Sequence, residues 1–248
     1  MKNLILSGSS IVNTLKKELM TYGFNGFCYH LPLENNYISD VDLPKLKDFR
    51  PELIKREKFV VASDKRAINV REYYFRLFAD KMDSGLAKKK KLGPNLWDGP
   101  NLATSSGVQL QRFLHLNDVH TVINWLVPLH CPWSGMFTLF TSENKDDILN
   151  TANDNHDAID ALLCLYAGHF TSKFIVELNP IANHGLLSKK SLKILAFISQ
   201  GDSIETISEN ENLSIRGVCY HVDRIKNILK CSNRSQMVYK ATKLGLIR

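Results

Sequence analysis

The chain has 248 residues, 44% of them apolar and 23% charged, with a formal net charge of +7. That length allows one large or two ordinary domains, and the composition is that of a globular protein with a real core. The opening MKNLILSGSS holds too short an apolar run for a signal peptide, and no stretch is expected to approach the about 18 apolar residues of a membrane span. Five cysteines (Cys28, Cys131, Cys164, Cys219, Cys231) are scattered and odd in number, with no CxxC or metal-ligand spacing. They read as reduced thiols in a cytoplasmic protein that binds no metal.

Ile11, Leu15, Leu19 and Tyr22 are spaced as one helix face, stopped by Gly23. Phe24 to Pro32 is aromatic-rich and predicts a strand. Asn35-Asn36 suggests a hairpin with a return through Tyr37-Ile38, and Phe49 to Val61 reads as a short helix. Val70 to Met82 is a stronger helix, with Val70, Tyr73/Tyr74, Leu77/Phe78 and Met82 on one face. Lys88 to Lys91 is a lysine run without interleaved aromatics, better read as a solvated loop than as a nucleic-acid or membrane patch. Gly93-Pro94 and Gly99-Pro100 flank Trp97 in an expected exposed loop. Val108 to Leu116 is expected to be helical, and Thr121 to Leu129 and Met136 to Thr141 pair as a hairpin around a turn at Cys131 to Gly135. Asp157 to Val176 is a long apolar-striped helix, followed by a linker rich in turn formers to Gly185.

The last quarter differs in charge. From Leu187 onward there are eleven Lys/Arg against five Asp/Glu, a surplus of six. A small basic domain on a near-neutral body is the expected footprint for phosphate contacts. The helices there lack the broad Trp/Phe/Leu face that membrane insertion needs. Ser203 is an N-cap for a short helix anchored by Ile204 and Ile207, with Glu205 in its first turn. Asn210-Glu211-Asn212 ends it, and Ser214 caps the next helix. In that helix Val218, Val222, Ile225 and Leu229 share one face, while Arg216, Gly217, Cys219, Tyr220, Asp223 and Arg224 lie on or beside the other. Such a helix fits a major groove about 12 Å wide. On spacing alone it fits an ordinary amphipathic helix pair equally well.

Leu187-Ser188, Ile194-Leu195, Gly201, Ile207, Leu213-Ser214, Val218, His221, Ile225 and the tail Ala241 with Gly245-Leu246-Ile247 resemble the LuxR-type helix-turn-helix of bacterial transcription factors. Two positions depart from it: Ser191 stands where that family usually has Glu, and Gly217 where it usually has Thr. Upstream, Ile123 to Ser142 and FNGFCYHL are similar to segments of the autoinducer-binding domains that precede such helix-turn-helices. In those domains a Trp, Tyr, Asp and second Trp hold an acyl-homoserine lactone between a sheet and helices. Tyr74 and Asp83 fall at the family spacing and Trp97 one residue early. Val70 takes the place of the first Trp, Ser84 that of a Pro, and Asn124 that of a Gly.

The resemblance implies an α+β protein: an α-β-α sandwich sensor domain with an antiparallel sheet over residues 1–176, a linker at 177–186, and a four-helix DNA-binding domain at 187–248. Arg216, Cys219, Tyr220 and Asp223 are expected at base edges. Lys189, Lys190, Ser203, Arg224 and Lys226 are expected at phosphates, with Ser214 and Gly217 completing the DNA-facing set. Val70, Tyr74, Asp83 and Trp97 are the expected ligand-binding set, in which Asp83 accepts an amide N–H, Tyr74 donates to a carbonyl and Trp97 forms a wall. Core aromatics and a helix-capping Asp are the plainer reading of the same residues. No cofactor and no catalytic set is expected: His115, His120 and the His130-Cys131 pair have no ligand or nucleophile spacing, and His221 is expected to hydrogen-bond internally. The expected partners are double-stranded DNA with a two-fold operator, a small-molecule signal, a second copy of the chain and RNA polymerase. Two rival readings are a ligand-independent regulator whose first domain only dimerises, and an enzyme or non-DNA module with a helical adaptor.

Overall fold

The computed structural model describes residues 4–6, 9–32, 57–78 and 91–247. These fall into two compact units, the second running from Phe174 onward and including Glu57 and His130–Trp133.

The first unit is built on a six-stranded sheet of order β1-β3-β2-β6-β5-β4. Its strands are β1 (Leu4–Leu6), β2 (Gly26–His30), β3 (Phe59–Ala62), β4 (Gly93–Leu96), β5 (Thr121–Val127) and β6 (Gly135–Thr141). All pairings are antiparallel except the edge pair β1–β3. The predicted hairpin is β5–β6, and both of its strands bury residues on both faces, as a sheet covered on two sides requires.

Among the described residues, helices α1 (Ser10–Met20), α2 (Lys65–Phe78), α3 (Ser105–Leu116), α4 (Lys145–Asp154) and α5 (His156–Leu178) belong to this unit, with α5 running on into the second. Asp64 starts α2 by accepting from Ala67 N at 2.9 Å while its other oxygen meets Lys16 Nζ at 2.7 Å. On one side of the sheet, Ala67, Ile68 and Val70 of α2 and Leu110 and Leu114 of α3 pack with Val60, Val122 and Phe140. Tyr73 and Phe113 stack there with ring centroids 3.8 Å apart. Strand alternation sends Tyr29, Trp125 and Phe137 to the other side. Tyr29 packs on Phe137 and on Phe170 of α5, and Trp125 Nε1 donates to Asp160 Oδ1 at 2.8 Å. Gly135 is required here, because a Cβ would stand 2.8 Å from the Tyr29 ring.

Several expectations need correction. The helix expected over Phe49 to Val61 is replaced, where described, by strand β3: Phe59-Val60-Val61 is aromatic and β-branched, both strand-favouring, and pairs with β1 and β2. Gly93–Leu96, expected in an exposed loop, is an edge strand, the position in a sheet where Pro94 costs no ladder bond. Helix α4 and strand β1 were not anticipated. Helix α5, by length and composition, is long and apolar enough to cross a membrane, against the expectation that no stretch would be. Its Ile159, Leu163, Ala167 and Phe170 are fully buried in the protein, while Leu165 and Val176 are exposed. The hairpin at Asn35-Asn36, the return at Tyr37-Ile38, Asp83, Ser84 and three of the four lysines at 88–91 lie outside the described residues; Lys91 is exposed.

In the second unit, α5 kinks at Phe174 (φ −123°, ψ 31°) and ends at Leu178. Within the segment expected as a linker, Asn179 caps the short helix α6 (Pro180–Asn183), and Asn179, Ile181, Asn183 and His184 are buried. Four helices follow: α7 (Lys189–Gln200), α8 (Ile204–Glu211), α9 (Ile215–Leu229) and α10 (Arg234–Lys243). Each starts on a side-chain cap: Ser188 accepts from Ser191 N, Ser203 from Thr206 N, Ser214 from Gly217 N and Asn233 from Gln236 N. Gly201 (φ 96°), Asn212 (φ 50°) and Lys230 (φ 49°) stop α7, α8 and α9 in the left-handed region. The tail closes the unit: the Leu244 carbonyl accepts from Trp133 Nε1 at 2.9 Å and from Asn179 Nδ2 at 2.6 Å.

Candidate DNA-binding face and ligand cavity

Helix α9 buries Val218, Val222, Ile225 and Leu229, each at most 5% exposed, against α7, α8 and α10. At 3.6 residues per turn this leaves Arg216, Cys219, Tyr220, Asp223 and Arg224 outward, and all five are exposed. Tyr220 is 62% exposed. Ser203, Ser214 and Lys189 are also exposed, and Gly217 and Lys226 are half-buried. Ile215, absent from the expected set, joins this face at 51% exposure. Its position at the first turn of α9, beside Ser214, was the available signal.

Two of the expected phosphate contacts are already engaged within the protein. Lys190 Nζ lies 3.0 Å from Glu211 Oε2 and donates to the Glu211 carbonyl, and Lys193 Nζ reaches Glu211 Oε1 at 2.6 Å. Lys193 and Lys190 hold the Glu211 carboxyl below the usual carboxylate range. Arg224 Nη2 donates to the Leu186 carbonyl at 3.2 Å, while the residue as a whole stays exposed. Ser191 fills the place of a family Glu with a smaller network. Its hydroxyl bonds Ser188 Oγ at 2.9 Å and His221 Nδ1 at 3.0 Å, so His221 faces inward. Burial, then Lys190 and Arg224, push the His221 imidazole below its ordinary value.

The first unit holds a cavity of about 100 Å³ between α2 and the sheet, lined by Val70, Tyr74, Trp97 and neighbours. Three of the four residues expected for a ligand therefore share one wall system; Asp83 is outside the described residues. Tyr74 and Trp97 meet edge to face with centroids 5.6 Å apart. Val70 is 2% exposed and closes the wall where an indole donor was expected to be missing.

Sequence reasoning missed the polar side of this cavity. Arg71 lines it, one residue after Val70 and three before Tyr74, and its guanidinium carbon sits 4.5 Å from the Phe75 ring centroid. Asn124 and Thr138 are directly opposite each other in the β5–β6 register, and Thr138 Oγ1 donates to Asn124 Oδ1 at 3.0 Å. A charged residue inside an apolar helix stripe was the visible signal for Arg71. Nearby, burial pushes the Cys28 thiol up to about 12, which leaves it an inert neutral group.

The capped pair α8–α9, with one apolar side of α9 in the core and a polar and basic side outward, defines a helix-turn-helix DNA-binding domain. Residues 185–241 match the family described as "Bacterial regulatory proteins, luxR family", so this domain is of the LuxR type. No curated protein sequence matches the chain at a significant level. Among solved structures, Escherichia coli SdiA overlays at 13% identity, covering 94% of this chain and 89% of that one, with a TM-score of 0.46. SdiA in complex with octanoyl-rac-glycerol overlays at 12% identity, covering 96% and 89%, with a TM-score of 0.43.

Proposed function

We propose that the protein is a sequence-specific transcriptional regulator whose N-terminal sensor domain binds a small signal molecule. It acts as a homodimer on a two-fold DNA site, in the cytoplasm and together with RNA polymerase. The outward side of α9 carries the DNA reading: Arg216, Cys219, Tyr220 and Asp223 meet base edges, and Lys189, Ser203, Arg224 and Lys226 meet phosphates. Asp223 is tolerable there only as an acceptor for a cytosine amine. The single observation behind this reading is the one-sided burial of α9, with its polar and basic side exposed. The cavity behind Tyr74 and Trp97 favours ligand control over a first domain that only dimerises.

Binding of the full chain to a selected operator, measured across salt concentrations, tests the reading. Arg224→Ala should weaken binding to all sequences alike and lower the salt slope by about one unit. An unchanged slope removes Arg224 from the contact set, and salt-insensitive or absent DNA binding removes the regulator reading as a whole.

A further inference from the structure

From Leu187 onward, Ile215 is the one large aliphatic side chain left exposed among the described residues, at 51%. The other apolar anchors of α9, Val218, Val222, Ile225 and Leu229, are all buried. Ile215 opens the helix directly after the Ser214 cap, and Ser214 and Arg216 on either side of it are exposed as well. Cys219 follows four residues on, one turn along the same side and about 6 Å along the axis. It is exposed, and a thiol is a small, weakly polar group. Ile215 and Cys219 thus form a short apolar row, which Asp223 ends a turn later, beside the polar row of Arg216, Tyr220 and Arg224.

The surroundings of this row suit an anion. The first turn of α9 holds no acidic residue, and the N–H groups of a helix start carry positive partial charge. Arg216 stands next to Ile215, and the chain from Leu187 onward carries eleven Lys/Arg against five Asp/Glu. Charge complementarity therefore selects a polyanion as what covers Ile215. Duplex DNA offers an apolar group at one place on its major-groove edges, the C5-methyl of thymine. Against guanine, adenine or cytosine the same side chain would press hydrocarbon onto donors and acceptors that it cannot satisfy.

We propose, resting on the DNA reading given above, that Ile215 is a specificity-determining residue that packs on a thymine methyl with Cys219 beside it. Each half-site then carries a thymine at the position facing the start of α9. The phosphate contacts hold the helix on any duplex, and Ile215 adds the preference for one base.

The test uses the full chain and an operator selected with it from random duplexes. Each thymine of that operator is replaced in turn by deoxyuridine, which removes the methyl group and keeps the base pair. At one thymine of each half-site the replacement should weaken binding about fourfold, the worth of one buried methyl group, and about fifteenfold when both half-sites are changed. Ile215→Ala should bind the thymine and deoxyuridine operators alike at that position, weaken binding to the thymine operator by a similar factor, and keep the salt slope of the unaltered chain. Its melting temperature should stay close to that of the unaltered chain, because the side chain is exposed. Ile215→Val, the milder change, should close only part of the gap. An operator in which no thymine methyl matters, or a methyl effect of undiminished size in Ile215→Ala, overturns the inference and leaves the regulator reading standing. Absence of salt-sensitive binding to any duplex overturns both.

Discussion

Gly217 is the position where a single methyl group should have a measurable and calculable effect. It sits in the first turn of α9, with helical backbone and no positive φ to require glycine. A Cβ placed there meets Ser214 Oγ at 3.4 Å, Leu213 Cβ at 3.7 Å and Leu213 Cδ2 at 3.9 Å, all ordinary van der Waals contact. The Gly217 N–H still donates to Ser214 Oγ at 3.1 Å, since the substitution leaves the backbone unchanged. Gly217→Ala therefore gains the helix-propensity difference, about 1 kcal/mol, with no steric debit. For a chain of this size that corresponds to a rise of about 2–4 °C in melting temperature if the units unfold together. Gly217→Thr should gain only a few tenths of a kcal/mol, because a β-branched side chain loses rotamer freedom in the helix. Calorimetry gives the global shift, and amide exchange over 214–221 shows whether the first turn of α9 tightens. A lowered melting temperature, or unchanged exchange in that turn, would refute the reasoning that nothing but missing propensity loosens this helix start.

Three further outcomes are expected. Trp133→Phe deletes the donor to the Leu244 carbonyl, where Asn179 still donates to the same oxygen, and also shrinks a buried ring system, so the cost in urea unfolding should exceed the about 1 kcal/mol of one hydrogen bond; a neutral result would mean the tail is held without that residue. His221 has a folded value below its ordinary 6.5, so the unfolded chain binds the proton more readily. Stability should be full above pH 6.5 and fall as the pH drops through the folded value, and His221→Asn should flatten melting curves in that window; a chain equally stable at pH 7.5 and 5.5 would contradict this. Thiol labelling at pH 8 should reach exposed Cys219 first, while Cys28 (pushed up to about 12) and Cys164 (about 11) stay protonated; Cys219→Ser should remove the fast phase, and its persistence would overturn the assignment.

How much of the molecule the sequence determines differs between its two units. In the second, local rules suffice. Serine caps, an Asn and a Gly in the left-handed region and a strict apolar spacing are all short-range, so the bounds of α8 and α9 and the buried side of α9 were legible residue by residue. What sequence did not carry there is pairing across helices. Lys190 is surface-like in sequence but is drawn to Glu211, and Ser191 finds His221 thirty residues on.

In the first unit the hairpin was legible because alternation marks both strands, whereas β3 was misread, since four apolar residues carry no period of their own and only partners on either side make them a strand. The cavity belongs to the same class of feature. Tyr74 and Trp97 were found through their spacing, but Arg71, Asn124 and Thr138 come to line one cavity only when the register places β5 against β6 and α2 lies over both. Sequence fixes which residues are near neighbours along the chain and which side of an element is apolar. Packing decides which polar groups share an interior, because that depends on contacts between residues far apart along the chain.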